Sequence, residues 1–164
     1  MKNWLLILFF AILIGLYFGL GTIFGFFNLL IIFGICTPIF IVLLIIWKKP
    51  SKKFKYSIQI YTTIFFGLLF CLLFARLKNE YNQRKADLTV IKIQKYKTDF
   101  QRYPNSLAEL KNETELPQYF DQFKFKDFDY IVNKSNGEFN LSYSLDGWHI
   151  NEYDVNTNEW ESRD

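Results

Sequence analysis

From Trp4 to Trp47 the chain carries no charged residue, and a second uncharged run extends from Tyr56 to Ala75. Every acidic residue comes later, from Glu80 onward. Uncharged apolar stretches longer than about 18 residues read as membrane spans. The first half of the chain is thus written for lipid and the second for water.

The first run is too long for one span. Its 44 residues, 4 to 47, would make a helix of about 66 Å, twice the hydrocarbon thickness of a bilayer. Two helices joined by a tight turn resolve this. The residues that weaken a helix collect at Gly19, Gly21, Thr22, Gly25 and Asn28. The expected helices are 4–20 and 25–47, followed by a third over 57–76. Pro38 falls inside the second and is expected to kink it. Trp4 and Trp47 stand at the outer ends of the pair, where interfacial aromatics collect.

Lysine placement gives the orientation. Lys2 precedes the first helix, and Lys48, Lys49, Lys52, Lys53 and Lys55 fill the stretch between the second and third. Cytoplasmic segments are enriched in Lys and Arg. Both segments lie on one side of a three-span anchor. The N-terminus is therefore expected in the cytoplasm and residues 77–164 outside it, on an inner (cytoplasmic) membrane. An alternative makes residues 1–21 a cleaved signal peptide, on the strength of Lys2, the apolar core and Gly19-Leu20-Gly21. The downstream topology is the same in both. Neither Cys36 nor Cys71 fits a lipid-attachment site, because Ile35 and Phe70 precede them.

Composition changes at Arg76. Residues 1–75 hold six of the 19 basic residues and no acid, which leaves 13 basic against 16 acidic residues in 76–164, a net of −3. The overall charge of +3 averages two unlike halves and is no argument for nucleic acid, which is not an expected partner. Both cysteines lie in the expected spans, so no disulfide framework holds the second half. It must fold on its own core.

That half reads as one helix followed by a small antiparallel sheet, an α+β domain spanning 77–164. Leu77, Tyr81, Leu88 and Ile91 recur at helical spacing. Ala86, Val90, Ile93, Tyr96 and Phe100 make a second, clearer stripe. The helix must end before Pro104, at Arg102 or Tyr103. Asn105 or Ser106 caps a short helical turn over Leu107–Leu110. Beyond Pro117 the period becomes two: Phe123, Phe125, then Phe128, Tyr130 and Val132. Asn133–Gly137 is rich in turn formers, and Phe139, Leu141, Tyr143 and Leu145 mark the clearest strand. Asp146-Gly147 signals a hairpin. Trp148–Tyr153 and Glu159–Glu161 follow as strands around Asn156-Thr157-Asn158.

The segment Tyr96-Lys97-Thr98-Asp99-Phe100-Gln101-Arg102-Tyr103-Pro104 resembles the helix-end motif of type II secretion major pseudopilins and related pilin-like proteins. Ser106-Leu107-Ala108-Glu109-Leu110 and Gly137-Glu138-Phe139-Asn140-Leu141 match the turn and strand that follow it there. The likeness covers about 86–146 and implies a pilin-like fold, with a long helix packed on a small sheet. The chain departs from the family at its membrane segment. Lys55-Tyr56-Ser57-Ile58-Gln59 has neither the cleavage glycine nor the glutamate that registers pilin subunits, and two other spans precede it. Prepilin cleavage and assembly into a fibre are therefore not expected.

No arrangement of residues points to a reaction. His149 is the only histidine and has no cysteine beside it. Asp154-Val155-Asn156-Thr157-Asn158 begins like a calcium loop, but Glu159 stands where the glycine belongs and the twelfth position falls beyond Asp164. A hairpin turn explains it better. Asp127-Phe128-Asp129 reads as a solvated face. No phosphate loop is present. Catalytic, cofactor and metal residues are expected to be none, and the protein is not expected to be an enzyme. The span centres hold no ionisable residue, which argues against transport. Gly15 and Gly19, Gly21 and Gly25, and Gly67, Cys71 and Ala75 form small-residue faces. They serve either packing among the three helices or association with a second copy. The expected function is a membrane-anchored, non-catalytic binding or scaffold module of the cell envelope, with the lipid bilayer and another envelope protein as partners. The alternative is an immunity-type membrane protein that neutralises a toxin.

Overall fold

A computed structural model of the chain describes residues 2–21, 23–46, 52–110, 118–133, 138–144 and 149–163. The expectations on Thr22, on Trp47, Lys48 and Lys49, on Pro117, on Gly137, and on Leu145, Asp146-Gly147 and Trp148 lie outside them. The chain divides into two compact units, Met1–Leu77 and Lys78–Asp164.

The first unit holds helix α1 (Lys2–Leu20), helix α2 (Ile23–Ile46) and the start of a single long helix, α3 (Lys52–Phe100). The chain leaves the helical path at Gly21, within the glycine-rich stretch expected to turn. Helix α3 begins at Lys52 rather than at residue 57. Lysine is a good helix former and nothing between Lys52 and Tyr56 breaks a helix, so Lys52, Lys53 and Lys55 are its first turn. Inside α2, Thr37 Oγ1 donates to the Phe33 carbonyl at 2.7 Å, just before Pro38, and stands 3.3 Å from the Tyr61 hydroxyl.

Three spans and a multi-pass anchor do not follow from these helices. Among the described residues one helix, Lys55–Phe100, is long and apolar enough to cross a bilayer. Trp4–Leu20 and Phe27–Val42 are apolar but shorter.

Glycines and a cysteine bring the helices of this unit together. A Cβ placed on Gly19 would stand 2.6 Å from the Cys71 carbonyl oxygen, and one on Gly67 would stand 2.9 Å from Ile14 Cγ2. Gly15 meets Phe70 as closely. Leu29, Leu68 and Cys71 are buried there, with Ile14, Phe18 and Phe33 beside them. The small-residue faces of α1 and α3 are thus used within one chain.

The second unit opens with the remainder of α3. Asn82, Ala86, Thr89, Val90 and Ile93 are buried, so the second stripe is the one that packs. Leu88 and Ile91 of the first stripe stay exposed, as does Phe100. The helix ends at Phe100, earlier than expected. Gln101 takes a left-handed conformation, φ 58°, and its side-chain amide donates to the Thr98 carbonyl at 3.1 Å. This is the usual geometry of a helix C-terminus, made here without glycine. A short 3₁₀ turn, Leu107–Leu110, follows.

Six strands complete the unit. Strands β1 (Gln118–Asp121) and β2 (Lys124–Asp127) form a separate two-stranded sheet. Strands β3 (Asp129–Asn133), β4 (Glu138–Ser144), β5 (Ile150–Asp154) and β6 (Glu159–Arg163) form an antiparallel meander in chain order. The alternation expected from Phe123 onward fails at its start. Gln122 (φ 46°) and Phe123 (φ 63°) are the two-residue turn of the β1–β2 hairpin, and Phe125 points outward. Two positive φ angles mark the I′ geometry that Asn-Gly or Asp-Gly normally signals; Gln-Phe gives no such signal.

Beyond Phe128 the alternation holds. Phe139, Leu141 and Tyr143 of β4 face inward with Phe128 and Tyr153. They meet Ala86, Val90 and Ile93 of α3, with Leu107 and Tyr119 closing the sides. The core is aromatic to an unusual degree. Tyr143 lies 5.6 Å from the Tyr119 and Phe128 rings and 5.5 Å from Trp160, and Phe139 stacks on Tyr153 at 5.8 Å. Such edge and offset pairs add about 0.5–1.5 kcal/mol each beyond burial.

Candidate functional site

Polar side chains of α3 fasten the sheet strands. Asn82 donates to the Phe120 carbonyl and accepts from the Phe120 N–H, both at 2.8 Å, and so pairs with β1 as another strand would. Gln83 Oε1 accepts from the Tyr143 hydroxyl at 2.9 Å, and that hydroxyl accepts from Asn151 at 3.0 Å. Asp87 accepts from the Trp160 indole at 2.9 Å and from Gln83 at 3.0 Å. Burial raises the Tyr130, Tyr143 and Tyr153 phenols, which therefore stay neutral donors. None of these helix positions stood out in the sequence, because Asn, Gln and Asp between apolar stripes read as a solvated face.

The segment from Tyr96 to Glu109 builds a tight cluster at the end of α3. Glu109 is its hub. It accepts from the Tyr96 hydroxyl at 2.8 Å, from Asn105 Nδ2 at 2.9 Å and from Arg102 Nη1 at 3.0 Å. Hydrogen bonds from Tyr96, then Asn105, then Arg102, lower its carboxyl to about 2, and the same bond raises the Tyr96 phenol. The Asn105 backbone N–H also lowers the Glu109 carboxyl. Lys97 Nζ lies 4.3 Å above the Tyr103 ring, which packs edge-on against Phe139 at 4.9 Å. The Tyr130 hydroxyl donates to the Pro104 carbonyl at 2.8 Å. The motif residues thus lock the helix end onto β3 and β4.

Beside this cluster lies an open groove of about 460 Å³. Tyr96 and Phe100, their rings 4.5 Å apart, give it an apolar side. Lys92, Lys95 and Arg102 supply cations, with Asp99 and Glu109 opposite. A second depression, about 330 Å³, lies at Glu138, Asn140, Glu152, Asp154, Glu161 and Arg163. There Arg163 pairs with Glu152 at 2.6 Å, and Asn140 donates to the same carboxylate.

Of the residues weighed in the sequence, Asp154, Val155 and Asn156 line the second depression. His149 is half-buried at the start of β5. Asp154 caps the β5–β6 turn: its carboxylate accepts the Asn156 N–H at 2.8 Å, which lowers its pKa, and its carbonyl accepts the Asn158 N–H at 2.9 Å. Asp127 accepts from Gln118 at 2.9 Å and both Asp127 and Asp129 are exposed. Among the described residues no three His, Cys, Asp or Glu side chains are placed to hold a metal ion. Asp121, missed in the sequence, is almost fully buried. Its Oδ2 pairs with Lys126 at 2.6 Å, while its Oδ1 has no hydrogen-bond partner among the described residues.

No family model, no curated protein and no solved structure matches the chain.

Proposed function

We propose that this protein is a membrane-anchored, non-catalytic binding or scaffold module of the cell envelope. In this reading α3 crosses the inner membrane with its Lys52 end in the cytoplasm and presents the Lys78–Asp164 unit outside. Helices α1 and α2 accompany it as two further spans, which completes a three-span anchor. The observation that carries the reading is α3 itself. One 49-residue helix is uncharged from Tyr56 to Ala75, about 30 Å at helical rise, and then becomes the amphipathic support of an aromatic-cored unit. The contact of Gly15 and Gly19 with α3 supports retention of α1 in the mature chain. A long helix laid on an antiparallel meander, with Tyr96–Pro104 locking the junction, supports the pilin-like assignment.

The groove at Tyr96, Phe100 and Arg102 is the contact site in this proposal, and its occupant is a segment of another envelope protein. The test is crosslinking in native membranes with a photoreactive residue at Phe100. Mass spectrometry should return an envelope protein as the dominant adduct. A toxin as the dominant adduct would replace the scaffold by the immunity-type function, and lipid adducts alone would remove the site.

A further inference from the structure

The tip of the β1–β2 hairpin combines three features that a water-facing turn does not need. Phe123 and Phe125, side by side on the hairpin tip, are 52% and 58% exposed. Phe123 holds φ 63° and Gln122 φ 46°, a left-handed pair that bulky residues rarely adopt. The exposed order is Phe123-Lys124-Phe125-Lys126, aromatic alternating with cationic. The one acid beside the tip, Asp121, is turned inward and paired with Lys126.

The position of this tip on α3 suggests what covers it. Asn82 holds the Phe120 backbone by two hydrogen bonds, and the Phe125 ring meets Phe120 at 5.3 Å and Tyr81 at 6.4 Å. Tyr81 and Asn82 follow Ala75, the last residue of the uncharged run, by six and seven positions on the same helix. At 1.5 Å per residue they lie about 9–10 Å beyond it. Elements seated at the headgroup boundary bury apolar side chains about 5–10 Å deep and keep lysines near the phosphates.

We propose that the β1–β2 hairpin rests in the headgroup layer of a phospholipid bilayer, with Phe123 and Phe125 against lipid and Lys124 beside the phosphates. This rests on the reading that α3 crosses the membrane. The hairpin then fixes the tilt and rotation of the unit above the surface, and the strained turn is kept because it aims Phe123 at the lipid.

The test uses the full chain with Cys36→Ala and Cys71→Ala, reconstituted in phosphatidylcholine–phosphatidylglycerol vesicles. Single cysteines are introduced by Phe123→Cys, Lys124→Cys, Leu69→Cys and Ile131→Cys, and each carries an environment-sensitive fluorophore. Brominated lipids should quench the probes at 123 and 124 several-fold more than the probe at Ile131, a β3 residue exposed at 69%. Quenching at 69 with none at 123 or 124 would overturn the hairpin proposal and leave the span intact. No quenching at 69 would overturn both.

Discussion

In the Met1–Leu77 unit, Gly19 approaches α3 so closely that an added Cβ would stand 2.6 Å from the Cys71 carbonyl oxygen. In the Lys78–Asp164 unit, the fully buried Tyr143 is ringed by Tyr119, Phe128 and Trp160 at 5.5–5.6 Å and ties its hydroxyl to Gln83 and Asn151. The contrast follows from solvent. Under the proposed membrane anchor, lipid surrounds the helices of the first unit, apolar side chains gain nothing by turning inward, and close backbone approach at small residues does the packing. In water, burial of large rings drives folding, and each buried hydroxyl or amide must find a partner. The first unit exposes Leu, Ile and Phe freely, while the second gathers Tyr119, Phe128, Phe139, Tyr143 and Tyr153 into a buried core.

The sharpest way to break this contrast is Tyr143→Ala. Removing a fully buried ring and stranding Gln83 and Asn151 should destabilise the second unit by about 3–5 kcal/mol. Near-UV circular dichroism of the full chain during urea titration would show it, and a loss below about 1 kcal/mol would mean that the aromatic core does not govern stability. In the first unit the corresponding change adds atoms. Gly19→Leu should cost about 1–3 kcal/mol of helix association. Gly34→Ala, where nothing among the described residues stands within 4 Å, should be neutral or stabilise by up to about 1 kcal/mol. A thermal-stability assay in detergent that ranks the two alike would refute small-residue packing. Asn82→Ala leaves the Phe120 N–H and carbonyl without their partner and should cost about 1–3 kcal/mol, visible as faster amide exchange in β1 than in β4.

The smallest expected effect is electrostatic. The Glu109 carboxyl is held at about 2 in the folded chain, against 4.5 without the fold. A depressed folded-state pKa contributes stability that is present above about pH 4.5 and is lost as pH falls toward 2. Glu109 is partly exposed, so the gain is modest. Glu109→Gln should flatten this acid limb of the stability profile and leave the neutral plateau little changed. An unaltered limb would mean that the Tyr96–Glu109–Arg102 cluster contributes nothing.

Much of this contrast was legible in the residues. Charge-free runs placed α1 and α2 to within a few positions, because absence of charge over many residues is a cumulative signal. The period-two run Phe139–Tyr143 gave β4, since one face of that strand is buried. Three features escaped. The clamp at Asn82 was hidden because a buried amide on a helix looks like any polar spacer until its strand partner is known. The β1–β2 turn carries no turn signal, because Gln122-Phe123 lacks the glycine or asparagine that marks positive φ. The helix end at Phe100 is masked in the sequence because Pro104 dominates the local signal, whereas Gln101 supplies the actual stop. The groove at Tyr96 and Phe100 was legible only as a motif, since Glu109 and Leu110 reach it through tertiary folding.

The account stands on the two halves of α3 occupying lipid and the extracytoplasmic space. Cysteine accessibility in intact cells tests this directly, with Cys36 and Cys71 replaced by alanine and single cysteines introduced by Ser162→Cys in β6 and Lys52→Cys at the start of α3. A membrane-impermeant thiol reagent should label position 162 in intact cells and position 52 only after permeabilisation. Labelling of 52 in intact cells, or protection of 162, would contradict the proposed anchor and its orientation.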